Sequence, residues 1–572
     1  MTYIRDSLVE DQYDGEQLCM KNQINENKDR YFQYFVIAYM VAYFIIGVST
    51  FKNYGISEDE PIQRQHSLVS YKYICEEYLG RDLSSYEVFS DLPDIEDYPH
   101  KYYGILLQLP FVVIEDLFDF SLQTRTIYLI RHLGVCCYCC LGFIFFYLFL
   151  KKVFKNRGYA FFGLLLISLY PRFYGEKFYN IKDLLFVAVC CLAYYGIALY
   201  LENGRKIRYG IIAGLFFAIC TTSRMMGGMF PAILIAYLLL QDIRNKAFSK
   251  EKVWLGRYSV PSWLKCVIDY CSIIVPYSAF WYFATPAAWG KNVLKTFYEA
   301  FTHFSYYGWI GTSLFAGQSL APEEMPWHYV YTWIGITVPV YYIGLFIIGH
   351  AYWFKGTAGI KDWFEKALTE NKYISLSAAM FWGSSVLVSL HLIKIYNTWR
   401  HVYFIMCPFV VLAVYGLKFI LEFGAGKIMA VIKKAAVCLI AFSMIMQLRW
   451  LYINHPYQYL YFNEIGRPIA SQFERDYWEM TVYDLLKYIL ATDERRLITV
   501  APSYIYRNSK SFLPVYEQTR IDADNDAPDY LMENYSLKVG NDCCPEGYYE
   551  YYSVVVDGTK MGTIFKRIDD SE

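Results

Sequence analysis

The chain is 572 residues long and 56% hydrophobic, with 20% aromatic residues and only 19% charged ones, against the roughly 25% usual in soluble domains. Its 53 Lys and Arg nearly balance its 54 Asp and Glu, giving a formal net charge of −1, which argues against a nucleic-acid partner, since such a partner wants a basic face. The apolar residues are gathered in discrete runs, the pattern of a polytopic membrane protein.

In chain order, residues 1–30 are polar and mixed in charge, and form a predicted cytoplasmic segment without a cleavable signal peptide. About eleven transmembrane helices are predicted, at 31–51, 126–150, 158–171, 184–201, 208–222, 226–241, 263–285, 329–353, 373–391, 401–421 and 434–451. The segment 103–118 is apolar for about 16 residues but contains Gln108, Pro110, Glu115 and Asp116. The positive-inside rule decides its placement. If it does not span, "KKVFKNR", "ENGRKIR", "DIRNKAFSKEK", the loop 355–372 and "GKIMAVIKK" all fall on the cytoplasmic side. The expected topology therefore has its N-terminus inside and C-terminus outside, in the cell membrane. "CCYCC", residues 136–140, lies within a span, where cysteine behaves as a small hydrophobe rather than a metal ligand.

This topology places the loop 52–125, the turn 172–183, the loop 286–328, the turn 392–400 and the tail on the outer face. Residues 31–451 form the predicted membrane domain. Residues 452–572 form a small extracytoplasmic α/β domain, with "DYWEMTVYDLLKYIL" as helix and "RRLITVAPSYIY" and "YYSVVVDGTKMGTIFKR" as strands.

Ionisable residues concentrate at the outer ends of the spans, where they are costly unless paired or used. Asp59 and Glu60 follow the first span directly. "YPRFYGEKFYNIKD", 170–183, carries Arg172, Glu176, Lys177, Asn180, Lys182 and Asp183. "TTSRMMGGMF" carries Arg224, "LFAGQSLAPEEMPWHYVYTW" carries Trp327 and His328, and "KIYNTWRHVYF" carries Arg400 and His401. Each cluster alone reads equally as a solvated turn with snorkelling cations. Together on one face they predict a shared cavity at the outer boundary.

This ordered series resembles the GT-C glycosyltransferases, in particular bacterial proteins like the dolichyl-phosphate-mannose protein mannosyltransferases of glycosyltransferase family 39. The resemblance rests on Asp59-Glu60, "YYGILLQLP", "PRFYGEKFYNIKD", "MPWHYVYTWIGITVP", "YNTWRHVYF" and "HPYQYLYFN". It implies an enzyme that transfers a sugar, a hexose such as mannose, from a polyprenyl-phosphate donor to an acceptor hydroxyl at the outer face, with inversion. The partners would be that donor, the lipid bilayer and an acceptor protein, lipid or glycan. By family analogy Asp59 is the general base, and Glu60 orients it or binds sugar or acceptor. Arg172, Lys182, Arg224, Arg400 and His401 are the candidates for the donor phosphate. Asn180, Asp183, Trp327 and His328 are expected to bind substrate or support the site. No cofactor is expected, although Asp183 and Asp59 together offer oxygen ligands to a divalent cation. An oligosaccharide ligase and a non-enzymatic transporter of lipid-linked sugars are the rival readings.

Overall fold

In a computed structural model, residues 29–568 are described except 306–307, 356, 502–505, 525 and 541–543. The predicted N-terminal segment 1–30 therefore lies almost wholly outside the described residues. All eleven predicted spans are helical. They are α1 (Asp29–Asn53), α4 (Thr124–Phe154), α5 (Arg157–Ser168), α7 (Asp183–Glu202), α8 (Ile207–Ser223), α9 (Met229–Arg244), α10 (Ser262–Ala284), α12 (Tyr329–Thr337) with α13 (Val340–Phe354), α15 (Lys372–Ser389), α16 (Met406–Glu422) and α17 (Lys427–Ile453), with the shorter α6 (Pro171–Glu176), α11 (Val293–Ser305) and α14 (Ile360–Leu368) in the connections. Among the described residues seven helices are long and apolar enough to cross a membrane by themselves, which makes the chain an integral membrane protein. The eighth predicted span breaks into α12 and α13 at Val338 and Pro339, because proline removes a helical N–H and disfavours helix in the residue before it.

The helices differ sharply in what surrounds them. Of the most apolar window of α7, 78% is buried within the protein; of that of α17, none is. So α7 is the axis of the bundle and α17 offers its apolar side chains to lipid. Close helix crossings need small residues. Gly349 of α13 and Gly416 of α16 face one another, and a Cβ on either would come within 2.0 Å of a carbonyl oxygen of the other helix.

The loop 52–125 is more ordered than a connection needs to be. It contains α2 (Asp59–Tyr78) and α3 (Leu109–Leu117). The nine residues of α3 extend about 14 Å, too short for a hydrocarbon core of about 30 Å, so the segment 103–118 does not span as a helix. Its acids are tied down by α2, α4 and the loop between. Glu115 bridges Arg64 (2.6 Å) and the fully buried Arg131 (3.0 Å), and Asp116 binds Arg81 (2.6 Å) and the Tyr71 hydroxyl (2.7 Å).

Past α17 the chain runs through residues 454–480 against the ends of the spans next to Asp59 and the 170–183 turn, then forms α18 (Thr481–Thr492) and a mixed sheet. With the short hairpins β1 (Lys252–Leu255) and β2 (Tyr258–Pro261), and β3 (Ser313–Phe315) and β4 (Gln318–Leu320), counted first, its strands are β5 (Ile498–Ala501), β6 (Ile521–Ala523), β7 (Tyr530–Asn534), β8 (Tyr548–Val556) and β9 (Thr559–Arg567). The order is β6-β5-β7-β9-β8, and the predicted "DG" turn joins β8 to β9.

Candidate active site

The opening of α2 is fixed before its side chains do anything. The Tyr54 hydroxyl donates to Gln458 Oε1 (2.8 Å) and the Ser57 hydroxyl to the Tyr179 carbonyl (3.0 Å), which pins the segment between α1 and α2 to the 170–183 turn and to the stretch after α17. Glu60 turns back to accept from the Ser57 N–H (2.8 Å) and hydroxyl (3.2 Å), and its other oxygen lies 3.0 Å from His132 Nε2. Glu60 is fully buried in this role. It secures the helix start, and none of these three contacts of its carboxylate is with Asp59.

Asp59, one residue earlier, points the other way. Its Oδ2 accepts from Arg400 Nη1 at 2.7 Å. The same Nη1 reaches Asp183 Oδ2 at 3.2 Å, and Arg224 pairs with the second oxygen of Asp183. Four charges from four distant parts of the sequence thus alternate in sign. Asn180 prepares Asp183 by capping α7: its Oδ1 accepts from the N–H groups of Asp183 (2.7 Å) and Leu184 (3.2 Å).

Lys182 completes the group and is different in kind. Its Nζ makes no hydrogen bond or ion pair among the described residues and lies 5.2 Å from the centre of the Tyr103 ring. Two carboxylates, Asp59 and Asp183, therefore face three cations, Lys182, Arg224 and Arg400, and one positive charge is in excess. Burial works to raise the Asp59 carboxyl, but the charges of Arg400, Lys182 and Arg224 outweigh it and hold the group down to about 2. Among the described residues no three His, Cys, Asp or Glu side chains are grouped to share a metal ion; between Asp59 and Asp183 stands the Arg400 guanidinium.

Arg400 is held by side chains that are not among the candidate site residues, although Tyr396 stands in the quoted "YNTWRHVYF". Its guanidinium lies 4.7 Å from the Trp478 ring and 5.6 Å from that of Tyr396, and Tyr396 stacks flat on Trp309 at 4.0 Å. The turn before it has positive φ at Asn397 (53°) and Thr398 (65°), which non-glycine residues adopt only when held. Ser313 accepts from the Asn397 N–H (2.9 Å), and Glu474 accepts from the Thr398 N–H (2.9 Å). Burial pushes the Glu474 carboxyl up to about 8, against the pull of Arg400. Glu474 and Trp478 precede α18, so residues assigned from sequence to the extracytoplasmic domain help build this site.

Other predicted residues lie elsewhere. Arg172 is buried between Trp333 and Phe462, 5.6 Å from each ring centre, with Nε 3.4 Å from the Tyr461 carbonyl; it is a core cation and does not join Asp59. His401 packs on Tyr396 at 4.4 Å and makes no hydrogen bond or ion pair with Asp59 or Asp183. Trp327 and His328 are exposed and contact each other, with His328 Nδ1 3.0 Å from the Thr332 hydroxyl. Their sequence signal was real, aromatic and imidazole groups where a loop re-enters the membrane, but this signal fixes depth and not direction.

Residues 120–260 match the family model described as Dolichyl-phosphate-mannose-protein mannosyltransferase, a stretch that contains Asn180, Lys182, Asp183 and Arg224. Over that stretch the chain is similar to this family of mannosyltransferases. Among solved structures, ArnT from Cupriavidus metallidurans bound to undecaprenyl phosphate aligns with 10% identity and a TM-score of 0.44, covering 92% of this chain and 97% of that one. The Archaeoglobus fulgidus oligosaccharyltransferase in its apo form aligns with 12% identity and a TM-score of 0.43, covering 85% of this chain; this chain spans 64%, less than two thirds, of that enzyme. No curated protein matches the sequence.

Proposed function

We propose that the protein transfers a hexose such as mannose from a polyprenyl-phosphate donor to an acceptor hydroxyl at the outer membrane face, with inversion. The observation that carries this reading is the excess cation: Lys182 stands unpaired beside an acid–base pair at the end of a span. A polyprenyl chain stays in the bilayer, so its sugar phosphate lies at this depth. The phosphate finds Lys182 first and then competes with Asp59 and Asp183 for Arg400 and Arg224.

That competition prepares the base. In the free protein Asp59 is held at about 2 and accepts protons poorly. As the phosphate draws the cations, Asp59 becomes more basic. The acceptor oxygen then attacks the anomeric carbon, the bond from that carbon to the phosphate oxygen breaks, polyprenyl phosphate leaves with the bonding pair, and the acceptor proton passes to Asp59. Lys182 and Arg400 stabilise the charge that grows on the leaving phosphate. One displacement without a covalent intermediate inverts the anomeric centre.

The test is to incubate the purified protein with a panel of polyprenyl-phosphate hexoses and hydroxyl acceptors of each class, a serine- and threonine-containing peptide, a lipid and a glycan, and to measure released polyprenyl phosphate. Release that disappears in Asp59→Asn is expected. Absence of release from every donor, or equal release by Asp59→Asn, overturns the proposal.

A further inference from the structure

Next to the charged network lies a narrow crevice of about 20 Å³, lined in part by Gln63, Tyr103, Gln108, Lys182, Thr222 and Ser223. That volume holds one water or one hydroxyl group, not a sugar ring. Gly104 closes one side, and a Cβ there would come within 2.5 Å of Thr222 Cβ. The polar groups in this lining are not equivalent. Gln108 accepts from Arg131 (3.1 Å), and the Thr222 hydroxyl donates to the Ile219 carbonyl (2.9 Å). Gln63 has no hydrogen-bond partner among the described residues although it is only 5% exposed, and the Ser223 hydroxyl also has none there.

The Gln63 amide offers two donors and an acceptor, and in so narrow a space one water or one hydroxyl group completes it. Gln63 lies four residues after Asp59 on α2, so the two side chains occupy the same helix face, one turn apart. Lys182 is shared by the crevice and the charged network. The crevice therefore starts where the donor phosphate is placed and ends at an amide with no protein partner among the described residues.

We infer that Gln63 reads a single hydroxyl of the donor sugar, with Ser223 beside it, and so sets which hexose is transferred. The inference rests on the function proposed above. The group recognised is a neutral hydroxyl and not an amino substituent. Among the described residues no carboxylate lines the crevice; the adjacent acids Asp59 and Asp183 are engaged by Arg400 and Arg224, and an ammonium group would stand close to the Lys182 charge. A site built to hydrogen-bond one hydroxyl discriminates strongly against the analogue that lacks it.

The experiment compares the full-length protein with Gln63→Met on a set of polyprenyl-phosphate hexoses, each lacking one hydroxyl. For the unaltered protein, kcat/KM falls on the order of 10²-fold or more for one member of the set. Gln63→Met is expected to handle the parent sugar at that reduced level and no longer to distinguish it from that deoxy sugar. Each ratio is taken within one preparation, so loss of folded protein cancels. Gln63→Asn, one methylene shorter, is expected to discriminate at an intermediate level. If both variants discriminate every deoxy donor as the unaltered protein does, Gln63 serves only a buried water and the inference is overturned while the proposed function stands. If the unaltered protein releases polyprenyl phosphate from no donor at all, the proposed function itself is overturned, and the inference with it.

Discussion

The turn 170–183 contributes to two groups of charges that obey opposite rules. In the inner group Arg172, Glu176 and Lys177 are all buried, and each is met mostly by neutral partners. Glu176 accepts from the hydroxyls of Tyr403 (2.9 Å) and Tyr477 (3.2 Å) and from Asn180 (2.6 Å), and burial raises its carboxyl above the ordinary range. Lys177 Nζ sits over the rings of Tyr174 (3.6 Å) and Tyr43 (3.9 Å), and burial lowers it to about 8. In the outer group the charges are paired with one another, and one is left over. The inner group is closed: aromatic faces and hydroxyls absorb each charge where it stands. The outer group is open, because ion pairs exchange partners when a new anion arrives and Lys182 has none to give up. Density of charge in a sequence does not separate the two. Partner type does.

The difference is tested most severely at Asp59. Asp59→Asn keeps the size of the side chain but cannot take the proton, and sugar transfer is expected to fall on the order of 10²–10⁴-fold with donor binding retained. Glu60→Gln should be much milder, since Glu60 secures the helix start. Comparable losses in both would place the acid pair in the inner, structural category.

The cations separate next. Lys182→Ala should lower turnover well over tenfold and leave thermal stability nearly unchanged, because no ion pair among the described residues is lost. Arg400→Ala should lower turnover similarly and also lower stability by about 3–5 kcal/mol, because it leaves buried carboxylates uncompensated. Thermal melts alongside donor-release assays distinguish the two outcomes.

A smaller effect follows from pH. Asp59 is depressed in the folded protein, so its contribution to stability is complete above the unfolded value of about 3.9 and is lost as pH falls through about 2. On the proposed mechanism, kcat/KM has no acidic limb from Asp59 between pH 7 and 4, whereas kcat acquires its limb at higher pH because bound phosphate draws the cations off. Glu474 has the opposite sign. Its folded value is raised, so its contribution is complete below the unfolded value of about 4.3 and is lost as pH rises through about 8. Glu474→Gln should flatten that part of the stability profile; an unchanged slope in denaturant titrations between pH 5 and 8 would count against the assignment.

The smallest change in activity is expected inside. Lys177→Met replaces a caged cation by an apolar side chain of similar length, a change that is often neutral or stabilising for buried charges. Transfer should stay within about threefold of the unaltered protein, a range that is small beside the losses expected at the outer group. A loss as large as that of Lys182→Ala would erase the distinction between the two groups.

The sequence by itself determined the membrane-embedded helices, because a run of apolar residues long enough to cross lipid has few other ways to satisfy its backbone. It determined the hairpin of β8 and β9, through alternation and a local "DG" turn. It also brought Asp59, Lys182, Asp183, Arg224 and Arg400 into one list, since charges at the ends of spans are conspicuous against an apolar background. What it left open was direction. Arg172 and Lys182 are ten residues apart in one turn, yet one is sealed between Trp333 and Phe462 and the other faces Tyr103. Asp59 and Glu60 are neighbours, and their carboxylates diverge toward Arg400 and His132. Trp478 and Glu474, which hold Arg400 and its turn, are a long way from it in the chain and match no motif. These choices depend on which helices cross and at what angle, and so on close contacts such as Gly349 against Gly416. Depth in the membrane is a property of composition along the chain. The partner of a charge is a property of packing, and only the tertiary structure decided it.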